Sequence, residues 1–134
     1  MRLEALLCDA ATVREGLLHV LGAGITRIRK PFFPGTMDIQ LAMVVTVMPV
    51  ESDGPHKLKV VIQTEDGVRI AEIDGEFRVS PGDESSKGEP IAMPLILNLR
   101  QIALPKEGTY SVEVLIDSQL AKSMPFKAVV ISSK

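Results

Sequence analysis

Apolar side chains in this sequence recur at every second residue. A repeat of two admits strands and excludes amphipathic helices, whose apolar positions recur every three or four residues. In TYSVEVLID (109–117), Tyr110, Val112, Val114 and Ile116 share one face, while Ser111, Glu113 and Asp117 lie on the other. HKLKVVIQT (56–64) repeats the pattern, with Leu58, Val60 and Ile62 inward and Lys57, Lys59 and Gln63 outward. PFKAVVI (125–131) sets Phe126, Ala128 and Val130 against Lys127, with Val129 and Ile131 blurring the alternation. The nearest approach to a helical stripe is CDAATVREGLL (8–18), where Val13 and Gly16 favour a turn between strands.

Turn residues fall where such strands end. EDG (65–67) reads as a hairpin, as do ESDGP (51–55) and DSQ (117–119), while SPGDESSKGEP (80–90) is one long polar loop. Strands are expected near 3–9, 17–28, 37–48, 56–64, 68–79, 91–103, 109–117 and 122–131. About eight short strands with regular turns point to an all-β chain, a two-sheet antiparallel β-sandwich. The 134 residues fit a single domain, 1–134, and no linker or repeat divides them. Pro94 and Pro125 lie inside strand-like runs and mark an edge, a bulge or a change of sheet. A shift of apolar parity at Ile70 and Ala71 marks a bulge.

Two strands lack a polar face. In MDIQLAMVVTVMP (37–49), Ile39, Leu41, Met43, Val45 and Val47 lie opposite Ala42, Val44, Thr46 and Met48. In IAMPLILNL (91–99), Pro94 and Ile96 lie opposite Met93, Leu95 and Leu97. Apolar residues on both faces imply a cover, from a loop of the same chain or from a second subunit. Met43, Val44, Met48, Met93 and Ile96 are the candidate interface residues.

Several chemistries fit the sequence poorly. HVLGAGITRI (19–28) has the glycine pair of a dinucleotide-binding turn, but Arg27 replaces the third glycine, and Pro31 and Pro34 forbid the helix that would hold the phosphates. Gly22 and Gly24 read instead as a bend within a long strand, where another backbone comes close. No cofactor is expected. A net charge of −2 and 4% aromatic residues give neither the basic patch nor the stacking rings of a nucleic-acid binder.

Cys8 could meet His19 and Asp9 if residues 3–9 paired with 17–28, but Cys8 and Asp9 point to opposite faces, so no catalytic set forms. His19, His56 and Cys8 have no metal-ligand spacing. Acidic turns at Glu51, Asp53, Glu65, Asp66, Asp83 and Glu84 leave a divalent cation conceivable. TRIRK (26–30) puts Arg27 and Arg29 on one face, a solvated stripe that discourages edge pairing. A single cysteine favours a reducing compartment, and a lipoprotein signal ending at Cys8 is refused by Glu4 and by the short apolar run. The longest apolar stretches, 41–50 and 91–99, are strand-sized and too short to span a bilayer as helices. A cytoplasmic location is expected.

LPKEGTYSVEV (104–114) resembles the tyrosine corner of immunoglobulin-like sandwiches, in which the phenol bonds back to the chain upstream. Together LEALLCDAATVREGLLHVLGAGITRI, FPGTMDIQLAMVV and LPKEGTYSVEVLIDSQLAKSMPF resemble an uncharacterised bacterial family of small proteins, a domain of unknown function. The resemblance implies one immunoglobulin-like all-β domain and carries over no catalytic residue. The expected function is a non-enzymatic protein-interaction or assembly module, a homo-oligomer or a binder of another protein. The alternative is a small-ligand or divalent-ion site built on loops 49–56 and 80–90.

Overall fold

A computed structural model describes residues 1–51, 54–79 and 88–131. The chain is all-β: the described residues form twelve strands and a single short 3-10 turn at Pro49–Glu51. In order they are β1 (Arg2–Cys8), β2 (Ala10–Arg14), β3 (Leu17–Leu21), β4 (Arg27–Lys30), β5 (Gly35–Thr36) and β6 (Gln40–Val47). Then come β7 (His56–Thr64), β8 (Arg69–Phe77), β9 (Ile91–Asn98), β10 (Ala103–Leu104), β11 (Gly108–Ile116) and β12 (Gln119–Val130). They assemble as a three-stranded sheet β1-β6-β9, a five-stranded sheet β4-β12-β11-β7-β8, and two small pairs, β2-β3 and β10-β5.

One apolar core joins the two larger sheets. Leu7, Leu41, Met43, Val45 and Val47 enter it from the first, and Val60, Ile62, Tyr110, Val112, Val114 and Phe126 from the second. The alternation read in 56–64 and 109–117 decides which side chains these are. Each fully buried one contributes roughly 1.5–3 kcal/mol of transfer free energy. No polar or charged residue is buried among the described residues, so no desolvated polar residue subtracts from that gain. Tyr110 closes a corner as its sequence context predicts: its hydroxyl donates to the Lys106 carbonyl at 2.5 Å, and its ring stacks on Phe126 at 5.6 Å.

The local punctuation reads true at several points. Thr64 N–H bonds the Val68 carbonyl around the 65–67 turn, where Gly67 has φ 85°. Asp117 and Ser118, with φ 51° and 69°, form the two-residue turn between β11 and β12. The register shifts where Ile62 pairs with Ala71 and Gln63 with Arg69, leaving Ile70 as the bulged residue. Pro94 lies on the edge strand β9, and Pro125 lies on β12 ahead of its pairing with β4 at Lys127–Val130.

Four expectations are corrected. The strand over 17–28 is two, β3 and β4, in different sheets. Gly22 and Gly24, with φ 64° and 90°, take the chain out of the pleat between them, and no helix begins there. The strands on either side of 51–55 do not pair with each other as a hairpin would, because β6 pairs with β1 and β9 while β7 pairs with β8 and β11. The strand over 91–103 ends at Asn98, and the chain turns at 99–102 into β10. Pairing is not wholly antiparallel: β4 runs parallel to β12, with Ile28 beside Ala128. The long path between these strands lets them meet in the same direction, as no short turn could.

Candidate interaction surface

The three-stranded sheet turns its second face away from the core. Its register sets Leu6, Ala42 and Ile96 in one row of that face, Glu4, Val44 and Pro94 in the next, and Arg2, Thr46 and Ala92 in the third. A further row, Cys8, Gln40 and Asn98, lies where the chain leaves β1. Beyond Cys8 the β2-β3 hairpin folds across this end, against β6 and β9. Gln40 Oε1 accepts the Ala11 N–H at 2.8 Å, and the Arg100 guanidinium donates to the Asp9 carbonyl at 2.6 Å and the Asp38 carbonyl at 3.2 Å. Part of the cover implied by a doubly apolar β6 therefore comes from the chain itself.

The five residues singled out in the sequence separate. Met43 is fully buried in the core between the sheets and offers nothing to a partner. Its odd parity on β6, shared with Leu41 and Val45, sends it inward. Met93, opposite Val45, packs against the same core from the edge strand. Val44 and Ile96 lie half-buried on the outer face, and Met48, just past β6, is exposed.

Sequence reasoning placed a turn between strands at Gly16, which the structure shows, but it assigned no strand to 10–14 and merged β3 into a longer one, so the hairpin itself was missed. Arg14 pairs with Leu17, Thr12 with His19 and Ala10 with Leu21, across a turn at Glu15 and Gly16 with φ 54° and 73°. These residues line one face; Ala11, Val13, Leu18 and Val20 line the other, which is on the whole less exposed. On the open face Leu17 is 64% exposed and Leu21 70%. The signal was present in LLHVL (17–21), five residues without a charge or proline and bounded by glycines.

Other candidate groups have local partners. His19 faces Thr12, and Asp9 gives its N–H to the Leu21 and Gly22 carbonyls, so the two do not meet across the strands. Cys8 is buried, its thiol directed at the Gln40 carbonyl at 3.4 Å. Burial pushes its pKa up against the opposing pull of Arg100, keeping the thiol protonated and a poor nucleophile. The Gly22 reading holds in part: a Cβ there would lie 2.9 Å from the Asp9 Cβ, whereas Gly24 has open space. Arg27 and Arg29 are exposed on the edge strand β4.

His56 Nδ1 lies 2.7 Å from Asp117 Oδ2, and its ring stacks on Phe77. The other Asp117 oxygen accepts the Lys57 N–H at 2.9 Å, so the carboxylate fixes the 117–118 turn to the start of β7. The bond to His56, followed by that to Lys57, holds this carboxyl below its ordinary pKa. Among the described residues no three His, Cys, Asp or Glu side chains converge on a point. Residues 52–53 and 80–87, which include Asp53, Asp83, Glu84 and most of the loops considered for ion binding, lie outside the described residues.

A comparison with curated proteins gives no match. A model of a family of unknown function, DUF6941, matches residues 3–129, almost the entire sequence, and the chain belongs to that family.

Proposed function

We propose that this chain is a non-enzymatic protein-interaction module that self-associates, with the outer face of β1-β6-β9 and the β2-β3 hairpin as its contact surface. The observation that carries the reading is the open face of the hairpin, where Leu17 and Leu21 are largely exposed. Leu6, 49% exposed, and half-buried Val44 and Ile96 extend apolar surface over the adjoining sheet. Burial of these exposed apolar side chains by a partner is favourable. The buried, protonated Cys8 is consistent with the absence of thiol chemistry.

The finer architecture belongs to the same proposal. Two packed sheets of immunoglobulin-like kind are supported by the shared core and by the Tyr110 corner. A cytoplasmic location is supported by a lone free thiol, and no described helix is long and apolar enough to cross a membrane. Light scattering on the eluting peak of a gel-filtration column tests the reading: it expects a species larger than the 14.5 kDa chain at micromolar concentration. A monomer there would remove self-association. A thermal-shift screen with divalent cations and metabolites addresses the alternative, since a ligand that binds only the folded state raises Tm.

A further inference from the structure

Free sheet edges invite pairing with another chain, and proteins commonly guard them with charge or proline. Here β1 carries Arg2 and Glu4, β4 carries Arg27, Arg29 and Lys30, β8 carries Arg69, Glu72, Asp74 and Glu76, and β9 carries Pro94. The edge of β3 carries no such guard. It presents Leu17, Leu18, His19, Val20 and Leu21, and among the described residues it pairs on one side only, with β2.

Its hydrogen-bonding phase is fixed by its neighbour. The two-residue turn makes Arg14 and Leu17 a bonded pair, and alternation extends this to Thr12 with His19 and to Ala10 with Leu21. The Ala11 N–H, pointing away from β3 to Gln40, agrees with that phase. Leu18 and Val20 therefore direct their N–H and C=O groups outward, along the free edge.

We propose that β3 pairs antiparallel with β3 of a second copy, across a two-fold axis through His19. The inference rests on the self-association reading and names its interface. In this register Leu18 bonds Val20 of the other copy and Val20 bonds Leu18, so all the outward backbone groups find partners. Leu17 lies opposite Leu21 of the second copy at both ends, and no two fixed charges meet. One face of the resulting four-stranded sheet repeats Val13, Leu18, Val20 and Ala11, apolar across both hairpins. A shift of two residues in either direction leaves Leu17 or Leu21 without its counterpart and sets the other against histidine. The strand is thus self-complementary in this register, as a two-fold contact requires. An extended segment of another protein could satisfy the same backbone groups but would not reproduce the symmetry.

Cysteine trapping in the full chain tests the register. The two copies of His19 face each other as a non-hydrogen-bonded pair, with Cα atoms about 4.5 Å apart, within reach of a disulfide. His19→Cys is expected to form a covalent dimer on mild oxidation. Leu17→Cys alone should not, whereas a mixture of Leu17→Cys with Leu21→Cys should; buried Cys8 stays out of the reaction. Val20→Pro removes an N–H that the hairpin does not use, and should weaken the dimer by about tenfold or more while circular dichroism stays native. A dimer that persists in Val20→Pro, with His19→Cys failing to cross-link, overturns the β3 interface and leaves self-association standing. A wild-type chain that stays monomeric, including one that captures another protein's strand, overturns both.

Discussion

Gly22 and Gly24 both have positive φ and both lie beside another stretch of backbone, yet only Gly22 lacks room for a side chain. An alanine Cβ at Gly22 would meet the Asp9 Cβ at 2.9 Å, in a segment pinned by the Asp9 N–H bonds to Leu21 and Gly22. At Gly24 it would meet nothing within 4 Å. Gly24→Ala should therefore cost about 1 kcal/mol from backbone strain, and Gly22→Ala about 2–3 kcal/mol because contact is added to strain. Urea unfolding of the two variants compares them directly. Tyr110→Phe keeps the stacked ring but leaves the Lys106 carbonyl without its donor, a loss of about 1 kcal/mol. Asp117 brings a pH dependence. Its pKa is lowered in the fold, so its contribution is present above the ordinary value of 3.8 and is lost as pH falls through the lowered one. Asp117→Asn tolerates the positive φ of the turn, so the variant should be less stable than wild type at neutral pH. The gap should narrow as pH falls below 3.8, as unfolding midpoints compared at neutral and at acid pH would show.

At the scale of elements, strands that alternate strictly between a wet and a dry face were legible: β7 and β11 have nearly the bounds that period two assigns. The tight turns were legible too, because positive φ at Gly67, Asp117 and Ser118 calls for residues visible in the sequence. Ser118 is the least suited of these. Ser118→Gly should stabilise the β11-β12 turn by about 0.5 kcal/mol, read as a rise in Tm. Misread elements share a cause. A strand carries no mark of which sheet it joins, so 17–28 looked continuous although β3 and β4 separate, and 51–55 looked like a hairpin although the strands on either side of it pair elsewhere. The β2-β3 hairpin, the centre of the candidate surface, was legible only at its Gly16 turn, because β2 was given no strand of its own and β3 was joined to β4.

Across the whole molecule, two methionines separate core from surface. Met43 is fully buried and Met48 is 44% exposed, only five residues further along. Met43→Ala should cost about 2–5 kcal/mol by opening a cavity between the two large sheets. Met48→Ala should stay within about 0.5 kcal/mol, and denaturant unfolding of both variants measures the contrast. Parity along β6 already distinguished their faces, but both faces were apolar, so parity could not say which one met the second sheet. By itself the sequence determined the strand class, the faces of the regular strands, the tight turns at Gly16, Gly67 and Asp117–Ser118, and the Tyr110 corner, because each depends on residues a few positions apart. Tertiary structure alone decided that β4 joins β12 in parallel, that Met43 faces inward, and that β3 keeps an unguarded edge. Those outcomes depend on which distant segments approach one another, and alternation along a strand encodes its faces but not its neighbours.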